Sequence, residues 1–135
     1  MKFTRQWAMP SKHTFTIKPI NELIHRYFKE NQLWIDPFAG FNSPAKETND
    51  INPSAPTKHH LQAIDFVKLY NNIDGVLFDP PYSPRQISES YKGAGLTVGM
   101  KETQNALLYS SVREALTPRI KPNGISIFIY ISLRP

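Results

Sequence analysis

Short apolar runs alternate along this chain with stretches whose apolar residues recur at helical spacing. Residues 19–29 follow the helical pattern and begin with Pro19, which a first helical turn tolerates because it needs no N–H there. Runs of three or four apolar residues indicate buried strands. In chain order, the predicted elements are a helix at 19–29, strands at 33–36 and 46–50, a short strand near Ala63 and Ile64 running into a helix that ends at Tyr70, a strand at 75–78, a loop at 83–101, a helix at 102–116, a turn at Asn123-Gly124 and a strand at 125–131.

This alternation predicts an α/β fold with a mainly parallel sheet and helices on both faces. The 135 residues, 40% of them hydrophobic, are enough for one domain with a core of its own, spanning residues 1–135. No apolar run approaches the ~20 residues needed to cross a bilayer, and the first residues lack the apolar stretch of a secretion signal. We therefore expect a cytoplasmic protein without a membrane partner.

The cysteine, histidine and charged residues limit the kinds of metal site and partner that are expected. The chain has no cysteine, and its four histidines lack the spacing of a zinc site, so we predict no metal. The formal charge of +5 favours a polyanionic partner such as nucleic acid, although many cytosolic proteins are equally basic. Several acids lie inside or at the end of apolar runs while most basic residues lie in polar segments, so the surface is expected to be more positive than the net charge.

Three of these acids come at the ends of predicted strands: Asp36, Asp50 and Asp79. In open α/β sheets, ligands bind beyond the carboxyl ends of the strands. One acid in such a place serves equally well as a helix cap or a solvent-facing loop residue. A row of three along one edge favours a binding site.

The residues Asp79-Pro80-Pro81-Tyr82 make an unusual exit from a strand. Two prolines fix their own backbone angles and restrict the residues before them, so the Asp79 carboxylate and the Pro80 carbonyl become rigid acceptors. Two fixed acceptors suit an exocyclic amine, which has two N–H donors, and Tyr82 offers a flat face for a planar base. The alternative is a strand exit that the prolines only stiffen.

With this motif, the chain resembles the S-adenosylmethionine-dependent amino-methyltransferases, and most closely the phage-type adenine-specific DNA methyltransferases. The Asp form of the motif is typical of enzymes that act on the adenine amine. The resemblance covers roughly residues 7 to 124. It implies a Rossmann-like methyltransferase fold, S-adenosylmethionine as cofactor and DNA as partner, with the target base flipped out, stacked on Tyr82 and methylated by in-line attack.

The resemblance also implies roles for single residues. The catalytic residues would be Asp79, Pro80, Pro81 and Tyr82. The cofactor would be held by three groups of residues: the loop of Asp36, Pro37, Phe38 and Gly40; Asp50 for the ribose and Asp65 with Phe66 for the adenine; and Phe15 with Thr16 for the methionine part.

Two departures from the family pattern keep alternatives open. Phe41 and Asn42 stand where the family has a small residue and a second glycine. The family sheet also continues past its fifth strand with a helix and a β-hairpin, so we expect a C-terminally truncated domain without them. Besides adenine methylation of DNA, the alternatives are an RNA or protein amine methyltransferase with the same motifs and an inactive, nucleic-acid-binding remnant.

The last predicted strand, residues 125–131, is apolar on both faces. If no hairpin covers it, its outer edge is a template for another strand. We therefore expect self-association, most simply a homodimer through this C-terminal strand with the 76–78 strand on its other side; the alternative is a marginally stable, aggregation-prone chain.

Overall fold

A parallel sheet forms the centre of the molecule. The computed structural model describes residues 2–4, 14–80 and 105–129. Within these ranges the sheet has four strands in the order β2-β1-β3-β4, and every neighbouring pair is parallel. The strands are β1 (Trp34–Asp36), β2 (Glu47–Thr48), β3 (Ile73–Phe78) and β4 (Ile120–Phe128). The predicted α/β class with a parallel sheet is confirmed.

Helices cover both faces of this sheet, as predicted. A 3-10 turn at Thr14–Thr16 leads into α1 (Lys18–Tyr27), whose proline lies in the first turn and whose Ile20 and Ile24 are buried. On the opposite face are α2 (Ala63–Val67) and α3 (Asn105–Leu116), and a second 3-10 turn, Thr117–Arg119, links α3 to β4.

The alternating side chains of the strands divide the core in two. The core below α1 contains Phe15, Ile20, Ile24, Trp34, Ala45, Leu77 and Ile127. The core below α2 and α3 contains Ile35, Ala63, Phe66, Val67, Ile73, Val76, Phe78, Val112 and Leu116. Consecutive strand residues therefore face opposite cores, as the two-residue period of a strand requires.

The seam between β1 and β3 depends on one glycine. Gly75 lies beside Trp34 in the parallel register, and a Cβ atom added at Gly75 would lie 2.2 Å from the indole ring. The ring occupies the space above Gly75 and also packs against Phe28, with ring centroids 5.6 Å apart. Only glycine leaves this room without a shift of the indole.

Two predictions of local structure are wrong. Ala63 and Ile64 form the first turn of α2 and not a strand. The buried residues Ala63, Phe66 and Val67 repeat with helical spacing, but the apolar run is too short for its period to separate helix from strand.

The turn predicted at Asn123-Gly124 is also wrong, because both residues lie within β4. They belong to an irregular stretch in which Ile73 pairs with Ile120 but Gly75 pairs with Ile125. The extra residues of β4 bulge out, and the strand continues. The strand predicted at 125–131 thus begins earlier, beside β3 as expected, and Tyr130 and Ile131 lie outside the described residues, as does the predicted loop at 83–101.

Candidate functional site

The strand order reverses between β1 and β3. From β1 the chain continues to β2 on one side and later to β3 on the other side of β1. In open α/β sheets the crevice outside the carboxyl ends of the strands at such a point is the usual ligand site. Asp36 ends β1 and Asp79 directly follows β3, so the two acids flank this crevice. Asp50 follows the adjacent strand β2 by two residues.

Asp36 is fully buried and holds the loop that follows it. Its Oδ1 accepts a hydrogen bond from the N–H of Phe38 (3.0 Å), and its Oδ2 accepts one from the hydroxyl of Ser43 (2.6 Å). Burial raises the pKa of Asp36 to about 7, the two hydrogen bonds oppose that shift, and the negative charges of Asp79 and Asp50 add to it. The charges of Asp79 and Asp50 therefore act on Asp36.

Gly40 makes the tight turn of the loop with a φ of +59°. Its N–H donates to Oδ2 of Asp50 (3.0 Å), whose Oδ1 accepts from the N–H of Asn52 (2.8 Å). No atom lies within 4 Å of the position that a Cβ would occupy at Gly40, so this glycine is required for its backbone angle and not for space. Asp50 thus fixes the turn of the loop after β1.

The two residues that depart from the family pattern follow Gly40 directly. Asn42 does not adopt a positive φ, so the turn needs no second glycine. The side chain of Phe41 is 57% exposed. It lies outside the core, on the surface of the same loop.

Asn49 is a site residue that sequence reasoning missed. It is 1% exposed. Its Nδ2 donates to the carbonyls of Pro37 (3.1 Å) and Leu61 (2.9 Å), and its Oδ1 accepts from the N–H of Leu61 (2.8 Å). The sequence signal is only a polar residue before Asp50, which is equally typical of a surface turn.

The other residues predicted to bind the cofactor have different environments. Phe15 is buried in the core below α1, whereas Thr16 is exposed. Pro37 is buried, and the half-buried ring of Phe38 packs edge-on against Phe78 at 5.5 Å. Thr16 is therefore at the surface, while Phe15 is part of the core.

The pair Asp65-Phe66 is divided between surface and core. Asp65 is exposed in the first turn of α2. Phe66 is fully buried, with its ring 5.6 Å from His59 and 5.2 Å from Tyr70, and its N–H donates to the carbonyl of Gln62. Of the two, Asp65 is the one whose side chain is open to a ligand.

The predicted catalytic motif is placed in part. Asp79 is partly buried and Pro80 is buried at the carboxyl end of β3. Pro81 and Tyr82 lie outside the described residues.

The described residues contain no group of His, Cys, Asp and Glu side chains arranged to hold a metal ion. In the same part of the chain, no helix has the length and apolar character needed to cross a membrane.

Comparison with known proteins adds no relative. No family model matches the chain, and no curated protein or solved structure matches it significantly. The residues and the geometry at the carboxyl ends of the strands are therefore the basis for inferring the function.

Proposed function

We propose that this chain is an adenine-specific DNA methyltransferase domain with a Rossmann-like methyltransferase fold, which transfers a methyl group from S-adenosylmethionine to the exocyclic N6 amine of adenine. The observation that supports this most is the position of Asp79-Pro80 beside Asp36 at the crevice where the strand order reverses. There, an amine held by the motif would lie next to a ligand held by the loop after β1.

The charges of the site suit this cofactor. S-adenosylmethionine carries a positive sulfonium and an ammonium group, and it supplies an electrophilic methyl group. The acids Asp50 and Asp79 provide negative charge at the crevice, whereas burial raises the pKa of Asp36 to about 7. A cation bound beside them would favour the ionised form of Asp36.

Asp50 can hold a ribose while it holds the loop. Each carboxylate oxygen has about two acceptor positions, and the N–H groups of Gly40 and Asn52 each occupy one. The remaining acceptor positions can accept hydrogen bonds from ribose hydroxyls. The exposed carboxylate of Asp65 is then suited to accept from the amine of the cofactor's adenine.

At the reacting end, the carboxylate of Asp79 and the carbonyl of Pro80 would accept hydrogen bonds from the two N–H groups of the target amine. This would direct the nitrogen lone pair toward the electrophilic methyl group that S-adenosylmethionine supplies when bound. The nitrogen would then lose its extra proton to solvent. No side chain with the pKa of a general base is required.

A calorimetric titration with S-adenosylmethionine and a methyl-transfer assay test the proposal together. The assay uses labelled cofactor with unmethylated duplex DNA, and RNA of the same sequence as comparison. Binding with transfer to DNA is expected. Transfer to RNA alone would favour the RNA enzyme, and a folded chain that does not bind the cofactor would favour the inactive remnant.

Two variants assign the roles. Asp79→Ala should abolish transfer and leave the cofactor Kd within a few fold, because Asp79 holds the target amine. Asp50→Ala should weaken cofactor binding first, because it removes a charged hydrogen bond, which contributes roughly 1.5–3 kcal/mol, and also releases the turn at Gly40. Equal losses of binding and transfer in Asp79→Ala, or an unchanged Kd in Asp50→Ala, would contradict these roles.

A further inference from the structure

We propose that Asn49 is the positioning residue of the cofactor site, where it holds the loop after β1 and the segment before α2 in one arrangement. The inference rests on the proposed function. The proposed role of Asn49 is to keep the loop and this segment together, not to contact the cofactor.

Asn49 joins three segments that are separate in sequence. Its main chain bonds to the end of β1 and to the loop, with its N–H donating to the carbonyl of Asp36 (2.9 Å) and its carbonyl accepting from the N–H of Ala39 (2.8 Å). Its side chain bonds the loop at Pro37 and the segment before α2 at Leu61, each twelve residues away along the chain. The side chain of Asn49 therefore bonds the loop and that segment directly, beside main-chain bonds that tie the same segment to the end of β2.

The hydrogen bonds that the Asn49 side chain makes to Pro37 and Leu61 require an asparagine. Two carbonyls need two donors, and the N–H of Leu61 needs an acceptor, all within reach of a short side chain. An amide supplies both donors and the acceptor. Aspartate at this position has no donor when ionised, serine has one, and glutamine is longer by a methylene in a site that is 1% exposed.

The loop after β1 and the segment before α2 flank Asp50 in the sequence, and Asp50 is the residue assigned to the ribose. The loop contains Gly40, whose N–H is bound by Asp50. Leu61 precedes α2, whose first turn carries Asp65. Removing the amide of Asn49 would leave Asp50 and Asp65 in place on the chain but loosen the loop and the segment at Leu61 relative to each other, and binding of a rigid nucleoside depends on that spacing.

The test compares Asn49→Ala with Leu116→Ala. Leu116 is buried at the end of α3, shortly before β4 begins. It therefore lies toward the amino ends of the strands, whereas the acids lie at the carboxyl ends. Both variants remove a buried side chain, so both should lower the urea midpoint. Isothermal titration with S-adenosylmethionine and with adenosine is run where circular dichroism shows each variant folded.

We expect Asn49→Ala to raise the Kd of both ligands at least tenfold, while Leu116→Ala leaves both within twofold. Equal Kd changes in the two variants, or no change in Asn49→Ala, would overturn the inference. If Asn49→Ala does not fold, Asn49→Ser, which keeps one donor and one acceptor, takes its place with the same expected order.

A second readout does not depend on the cofactor. The N–H of Leu61 loses its acceptor in Asn49→Ala, so its hydrogen exchange should accelerate at least tenfold in this variant and not in Leu116→Ala. Wild-type protein that binds neither ligand would refute the proposed function, and selective exchange at Leu61 would still support the positioning role of Asn49. Uniform acceleration in both variants would refute that role even where the wild type binds.

Discussion

The buried carboxyl group of Asp36 makes the stability of the fold depend on pH, and the variant Asp36→Asn isolates that dependence. Folding raises the pKa of this group from 3.8 to about 7, mainly through burial. Between these pH values the folded state binds more protons than the unfolded state, so the free energy of unfolding falls as the pH rises. Above pH 7 the contribution becomes constant.

The magnitude follows from the size of the shift. Each pH unit in this window changes the free energy of unfolding by about 1.4 kcal/mol. From pH 5 to pH 8, Asp36 therefore costs the wild-type protein about 3 kcal/mol of stability. An amide at position 36 keeps an acceptor for the N–H of Phe38 and donates to the hydroxyl oxygen of Ser43, without a charge to bury.

The assay is urea denaturation followed by circular dichroism at pH 5, 6, 7, 8 and 9. We expect the stability of Asp36→Asn relative to wild type to rise by about 3 kcal/mol between pH 5 and pH 8, then to stay level. Asp65→Asn makes the same charge change at an exposed position. A stability difference that does not vary with pH, or one that varies equally in Asp65→Asn, would refute the assignment to Asp36.

Two further predictions concern the seam and the edge of the sheet. Gly75→Ala places a Cβ 2.2 Å from the ring of Trp34, so we expect a loss of roughly 1–3 kcal/mol in urea denaturation; an unchanged midpoint would mean that the indole moves without cost. β4 is an edge strand of the described sheet and carries a Phe128 that is 47% exposed, so we propose that the chain dimerises along it. Ser126→Lys, at an exposed position of β4, should then shift light scattering toward monomer, and a wild-type monomer at high concentration would contradict the dimer.

The sequence predicted those parts of the fold whose signals are local. The pattern around Ile20 and Ile24 is long enough to define a helix, and the apolar run before Asp79 is bounded clearly enough to define a strand. Because parallel strands end at one edge, placing the acids after strands also predicted that Asp36 and Asp79 lie at the same side of the sheet. The short apolar run at Ala63 carried too few residues to show its period.

The parts that could not be predicted depend on contacts between distant segments. The loop position of Ser43 does not reveal that its hydroxyl binds Asp36, and the sequence around Asn49 gives no sign of its partners twelve residues away on each side. The same holds for the carboxylate of Asp50, which was expected to face a ligand and also binds the N–H of Gly40. These bonds form only after the loop has folded back onto β2.

The contact between Trp34 and Gly75 makes the fluorescence of Trp34 sensitive to changes at the site. The indole lies against the backbone of β3 at the seam whose far end is the crevice between Asp36 and Asp79. A ligand that pushed the two strands apart, even slightly, would change the surroundings of the ring before it changed the secondary structure. Fluorescence of Trp34, measured with Trp7 replaced by phenylalanine, would therefore show whether the crevice widens when a ligand binds or keeps its shape.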